Sequence, residues 1–202
     1  MRLGVFGGAF DPIHNGHLLL AEQCREQCQL DEVRFVPTRT PPHKDAKSLT
    51  ESRHRVEMLN LATAGLPEFT VSRIELDHDD VSWTAETLRR LRGQRPDDEL
   101  FLLIGADSLR DFPTWREPHE IADMATVVAV NRGESCPDAF NWLDDRLRQR
   151  VQAANMPGVD ISATDIRSRV SSGRSIRFLV PRAVEEYIRH NGLYLQKDDR
   201  NG

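Results

Sequence analysis

Near the start of the chain a short apolar run, Arg2 to Phe6, meets the glycine pair Gly7-Gly8, and a helical pattern opens just past Pro12. That succession reads as a strand, a tight stretch of backbone and a helix N-terminus, so a strand must hand over almost directly to a helix. Glycines at such a corner remove Cβ atoms where a bulky anion would approach the main chain. Free N–H groups and the positive end of the helix dipole then favour phosphate. His14 and His17 lie three apart and share a face of the first helical turn, which sets two imidazoles beside the same site. Taken without its neighbours, a glycine pair is only a turn. Paired histidines also bind metals, but zinc helices space them by four and no Cys/His cluster elsewhere supplies further ligands, so no protein metal site is expected. A Gly-Lys-Ser/Thr and a G-x-G-x-x-G are both absent at this corner.

Strand and helix patterns alternate along the rest of the chain. Strands are expected at Val33–Val36, at Phe69, Val71 and Arg73 (near a sheet edge, running raggedly to Leu76), and at the continuous apolar runs Leu100–Ile104 and Thr126–Val130. A helix is expected from about Asn15 to Gln27. Ser48-x-x-Glu51 reads as a capping box for a helix carrying Val56, Leu59 and Ala62, and Thr84 as the cap of one carrying Leu88 and Leu91. Phe140, Leu143, Leu147 and Val151 form a helical stripe. Pro181 sits as a first helical residue ahead of Val184, Tyr187 and Ile188, and Gly192 closes that helix. This alternation implies an α/β fold: a doubly wound, mainly parallel sheet with helices on both faces, whose ligands bind beyond the strand C-termini. At 202 residues one domain over 1–195 is expected, with a frayed polar tail over 196–202.

Composition then narrows the function. With 39% hydrophobic and 29% charged residues the chain reads as soluble and globular, and a net charge of −5 argues against broad nucleic-acid binding. Cys24, Cys28 and Cys136 make no C-x-x-C and suit a reducing cytoplasm, the first two as buried structural thiols. The opening apolar run is too short and glycine-rich for a signal peptide or membrane span.

A second glycine-bearing corner, Gly105-Ala106-Asp107, follows Leu100–Ile104. A further strand-to-helix junction, Ile161-Ser162-Ala163-Thr164-Asp165-Ile166-Arg167, reads either as a plain Ser162–Asp165 cap or as a second anion clamp made of hydroxyls, N–H groups and the Arg167 fork. Lys44 is by itself a solvated charge. Trp83 and Trp142 read as core or helix-packing residues. Trp115, following Pro113 in a loop, fits a core role or a stacking role equally.

The run Gly7 to His17 resembles the G-G-x-F-D-P-x-H-x-G-H signature of the nucleotidyltransferase superfamily, with all its positions present. Ile161 to Arg167 resembles the I-S-x-T-x-I-R motif of the nicotinate and nicotinamide mononucleotide adenylyltransferases. Pro41-Pro42-His43-Lys44, Ser82-Trp83-Thr84 to Leu88, and Gly105 to Leu109 with Pro113-Thr114-Trp115 are similar to stretches of the bacterial nicotinate-nucleotide adenylyltransferases. The resemblance implies a Rossmann-like cytoplasmic enzyme of NAD biosynthesis that joins ATP and nicotinate mononucleotide and releases pyrophosphate. It implies His14, His17 and Arg167 as catalytic. ATP would lie against Gly7, Gly8, Ala9, Phe10, His14, Gly16, His17, Gly105, Asp107, Ile161, Ser162, Thr164 and Arg167. The acceptor would lie against Lys44, Thr84, Trp115 and Arg116, where some relatives carry an aromatic in place of Arg116. Mg²⁺ would arrive with ATP. Rival readings are the same fold acting on nicotinamide mononucleotide or another acceptor, and a non-catalytic nucleotide-binding regulator.

Overall fold

The computed structural model describes residues 1–39, 49–78, 81–132, 140 and 142–196. Its six strands are β1 (Arg2–Gly8), β2 (Glu32–Pro37), β3 (Phe69–Val71), β4 (Glu99–Gly105), β5 (Ala125–Arg132) and β6 (Val151–Met156). All pair in parallel, in the order β3-β2-β1-β4-β5-β6. The chain starts mid-sheet, winds outward to β3, returns to set β4 on the other side of β1, and winds outward again to β6. The winding reverses between β1 and β4, where the helices after the two strands leave on opposite faces and open a crevice.

Strand residues alternate between two cores. On β1, Phe6 packs into one core while Leu3 and Val5 pack into the other; on β4, Phe101 and Leu103 face the first, and Leu100, Leu102 and Ile104 the second. A strand buried on both faces has no polar side to show, which is why these runs are continuously apolar. The first core is closed by α1 (Asn15–Gln27), α2 (Ser52–Thr63), α7 (Ala163–Ser171) and α8 (Arg182–His190). The second is closed by α3 (Thr84–Gln94), α4 (Ala106–Asp111), α5 (Pro118–Met124) and α6 (Asp145–Arg148). Cys24 and Cys28 are free thiols inside the first core, and burial pushes the Cys24 thiol up to about 12. No helix among the described residues is long and apolar enough to cross a membrane.

Several sequence expectations are corrected. The stripe through Phe140, Leu143, Leu147 and Val151 is not one helix. Only Asp145–Arg148 is helical, started by the Asp144 carboxylate accepting from Leu147 N–H at 2.9 Å, and Val151 opens β6. That strand escaped notice because it is an edge strand whose Gln152, Ala153 and Asn155 are exposed, so it lacks an apolar run. Of the expected Ser48–Glu51 capping box only the Glu51 end is described. Glu51 is the N-cap of α2, with no side-chain cap bond, and Ser48 lies outside the described residues. Trp83, not Thr84, is the N-cap of α3, and Pro181 is an N-cap where a first helical residue was expected. The third strand stops at Val71, and residues 74–77 form a turn instead of continuing it. Gly192, at φ +59, does close α8: Leu193 N–H bonds back to Ile188 O at 3.0 Å.

Candidate active site

The first corner is built tightly. Gly8 has the Phe10 ring beneath it, so that a Cβ there would lie 3.0 Å from the ring, while a Cβ on Gly7 would meet nothing within 4 Å. Of the two glycines, Gly7 therefore leaves open space above the strand end, and Gly8 lets Phe10 pack. Phe10 is 2% exposed with its ring against Phe6, Phe35 and His17, so any ligand contact at this position is with main chain. His14 N-caps α1 and its ring stacks on that of His17, centroids 3.6 Å apart and planes inclined by 21°. His14 N–H donates to His17 Nδ1 at 3.3 Å, which leaves Nε2 as the hydrogen-bearing nitrogen of a neutral His17 ring. Gly16 cannot carry a side chain without disturbing this pair, because its Cβ would stand 3.1 Å from His14 Nδ1. The expectation of a fully free helix start is trimmed. Asn15 N–H donates to Leu179 O at 2.9 Å, and His17 N–H to His14 O.

The second junction lies against the first. The same Gly16 Cβ position is 3.7 Å from Ile161 Cβ, and Arg167 Nη1 donates to the Asp11 carbonyl at 2.7 Å. Ser162 acts as the plain cap, its hydroxyl accepting from Asp165 N–H at 3.1 Å, while exposed Thr164 lies 3.4 Å from Arg167 Nη2. His14, His17, Gly16, Ile161 and Arg167 are thus neighbours. Ser162 and Thr164 stand with them at the start of α7.

Beneath this cluster is a buried scaffold that sequence reasoning missed. Asp11, 3% exposed, accepts from Tyr194 OH at 2.6 Å and from Thr50 N–H at 3.1 Å. Arg55, 2% exposed, donates to Ala9 O at 2.8 Å and to Thr50 O at 3.0 Å. Burial lowers the Arg55 guanidinium against its ordinary value, and the Asp11 charge opposes that shift. Burial raises the Tyr194 phenol, and Asp11 adds to it, so the hydroxyl stays a donor. One signal was available. Arg55 occupies the first position of the buried stripe Arg55, Met58, Leu59 and Ala62, a place for a core residue.

On the other side of Gly7-Gly8 opens a cavity of about 610 Å³, whose walls include Gly7, Gly8, Trp83, Thr84, Trp115 and Arg116. Trp115 serves both roles that its sequence position allowed. Its ring meets Phe112 edge-on with centroids 5.5 Å apart, and it lines the cavity. Thr84 is the first residue of α3, so its N–H is one of those that a helix leaves without an internal partner. Arg116 lies over Trp83, guanidinium carbon 5.2 Å from the ring centroid. Arg89 of α3 ties Glu117 and Glu120 at 2.9 and 2.6 Å and so fastens the Arg116 wall to the Thr84 wall. Of the two tryptophans expected as core or helix-packing residues, Trp83 is a half-buried cavity wall, and Trp142 is 47% exposed. Gly105 and Asp107 stand at the β4–α4 corner and do not line the cavity; Lys44 lies outside the described residues.

Comparison with known proteins agrees with this geometry. Residues 5–169 match the cytidylyltransferase-like family. A protein of Thermus thermophilus called probable nicotinate-nucleotide adenylyltransferase is 48% identical over 194 residues, covering 96% of this chain and all of the relative. One of the same name from Thermomicrobium roseum is 45% identical, over 96% of this chain and 91% of its own. Among solved structures, the Plasmodium falciparum nicotinic acid mononucleotide adenylyltransferase complexed with NaAD superposes with a TM-score of 0.79 at 19% identity, over 96% of this chain and 97% of that one. Near-full-length likeness, the intact Gly7–His17 signature and the reversed winding between β1 and β4 lead to one conclusion: the chain belongs to the cytidylyltransferase-like family and, within it, to the nicotinate-nucleotide adenylyltransferases.

Proposed function

We propose that the protein transfers the adenylyl group of ATP to nicotinate mononucleotide, giving nicotinate adenine dinucleotide and pyrophosphate, as a cytoplasmic step of NAD biosynthesis. The observation that carries this reading is the placing of an aromatic-walled cavity and a His/Arg cluster on opposite sides of one glycine corner. A pyridine ring stacks on Trp115, with its carboxylate directed at Thr84 N–H and Arg116. The mononucleotide phosphate then runs toward Gly7, whose missing Cβ leaves room for it. ATP occupies the other side, against the main chain of Gly8 to Phe10, the His14–His17 pair and the start of α7.

A phosphate oxygen of the mononucleotide attacks the α-phosphorus of ATP; the bond from that phosphorus to the bridging oxygen breaks, and pyrophosphate leaves with those electrons. No proton must be removed from a phosphate dianion, so no general base or covalent intermediate is needed. The protein supplies alignment and charge stabilisation. His17 Nε2–H donates to the developing charge, His14 holds His17 in that tautomer, and Arg167 presents its planar fork while anchored on Asp11 O. Among the described residues no three or more His, Cys, Asp or Glu side chains gather as a metal cage. Mg²⁺ is assigned to the substrate, carried in by ATP through phosphate oxygens and water.

Pyrophosphate release, measured with ATP and a panel of acceptors, tests the reading. Where the ring substituent meets Thr84 N–H and the Arg116 guanidinium, both donors, a carboxylate is satisfied and an amide NH₂ faces another donor. The kcat/KM should therefore favour nicotinate over nicotinamide mononucleotide by about 10²-fold or more. Equal use of the two would refute the acid-specific assignment, and no turnover with either would refute the reaction.

A further inference from the structure

Glu75 is a buried carboxyl group for which the proposed reaction has no use. It follows β3 in the turn over residues 74–77, is 9% exposed, and borders the acceptor cavity. Its Oε2 has no hydrogen-bond partner among the described residues, although the charges of Arg90 and Arg55 favour its ionised form. A buried carboxyl oxygen left in that state costs stability, so packing alone does not account for a glutamate here.

Its other oxygen shows what the residue does. Thr87 Oγ1 donates to Glu75 Oε1 at 2.7 Å and also lies 3.2 Å from Trp83 O, while Thr87 N–H donates to the same carbonyl at 3.0 Å. A threonine inside a helix ordinarily bonds only backward to its own chain. Here the hydroxyl is shared, so the first turn of α3 is hung from the turn that carries Glu75. The segment just before α3 is fixed from the other side as well, because Ser82 Oγ accepts from Arg39 N–H at 3.1 Å and Arg39 reaches Leu76 O at 3.1 Å. Trp83 and Thr84, the first two of the four residues between Ser82 and Thr87, form part of the cavity wall.

We propose that Glu75 is a positioning residue for the acceptor: through Thr87 it sets where the Trp83 ring and the Thr84 N–H stand, and with them the fit of the pyridine carboxylate. This inference rests on the acceptor assignment above. The role requires an accepting oxygen at Oε1 and not a charge. A glutamine supplies that oxygen and an alanine does not.

The test compares wild type, Glu75→Ala, Glu75→Gln and Thr87→Val in steady state, with separate KM values for ATP and nicotinate mononucleotide and with the acid-to-amide ratio of kcat/KM. Glu75→Ala should raise the acceptor KM by about tenfold or more, since displacements near 1 Å at a positioning group have effects of that order or larger. The ATP KM should stay within about twofold, and the acid-to-amide ratio should fall, because a general loss of structure would move both substrates together. Glu75→Gln should remain within about threefold of wild type, and Thr87→Val should shift the acceptor KM in the same direction as Glu75→Ala. The inference is overturned by an unchanged acceptor KM in Glu75→Ala, by equal rises for both substrates, or by a Glu75→Gln variant as impaired as the alanine. Should Glu75→Ala fail to fold, Thr87→Val decides: an unchanged acceptor KM refutes the linkage. Wild type inactive on nicotinate mononucleotide would instead refute the acceptor assignment, so the two failures are told apart by the wild-type measurement.

Discussion

Replacing Tyr194 by Phe removes one hydroxyl and leaves the ring in place. That hydroxyl donates at 2.6 Å to Asp11 Oδ1, in a carboxylate 3% exposed, and without it Thr50 N–H is the donor left to the Asp11 carboxyl among the described residues. A hydrogen bond to a charged group contributes about 1.5–3 kcal/mol, and no cavity term is added because the ring stays, so a loss of about 2 kcal/mol is expected. In a domain of this size each kcal/mol lowers Tm by about 2–4 °C, which gives a fall of about 4–8 °C. Burial keeps the Tyr194 phenol protonated well beyond neutral pH, so the fall should be the same at pH 6 and pH 8. The effect should also reach ATP. Asp11 presents its carbonyl to Arg167 at 2.7 Å, and a loosened Asp11 should raise the ATP KM more than the acceptor KM. Differential scanning calorimetry at two pH values and steady-state kinetics measure both. A Tm within about 1 °C of wild type would show that the buried carboxylate does not depend on the C-terminal tyrosine.

His17→Ala should lower kcat by about 10²-fold, the scale for losing one preorganised donor, and near-normal turnover at saturating ATP would remove His17 from the reaction. Arg167→Lys keeps the charge but loses the fork that holds Asp11 O; ATP KM should rise while acceptor KM holds, and a rise confined to the acceptor would reassign the start of α7. Burial raises the Glu75 carboxyl above its ordinary 4.5, against the hydroxyls of Ser82 and Thr87. The folded state therefore binds that proton more tightly than the unfolded chain. Its contribution to stability is full below about pH 4.5 and is lost as pH climbs through the raised value. Glu75→Gln lacks this loss and should gain on wild type in denaturant midpoint as pH rises above about 4.5; a difference constant with pH would refute the burial argument.

The parts legible in the sequence are those whose physics is local. Asn15–Gln27 has its expected bounds, and the doubly buried strands announce themselves as apolar runs because neither face meets water. The Gly7–His17 stretch is a strand end, a corner and a helix start within a few residues, so its geometry is written in consecutive positions. What stayed hidden depends on partners far along the chain. Asp11 and Tyr194 are 183 positions apart, and nothing near Tyr194 marks its hydroxyl as a tether. Glu75 stands between buried Ile74 and Leu76, an alternation that reads as a strand with the glutamate facing outward, so its inward carboxyl in the actual turn left no trace. Edge strand β6 buries only Ala154 and Met156 and lacks a continuous apolar run, so its first residue, Val151, read as the end of a helical stripe with Phe140, Leu143 and Leu147.

The two cores divide the labour of the site between the faces of the sheet. The histidine helix α1 and the arginine helix α7 rest on one core, while Trp115 and the start of α3 rest on the other. Under the proposed assignment, a change of acceptor calls for rebuilding the layer formed by α3, α4 and α5 and leaves the proposed nucleotide layer untouched. A combinatorial library confined to that layer should return catalysts with new acceptors and an inherited affinity for ATP. This separation gives one sheet a physical route to radiate into transferases that share a donor and differ in what they modify.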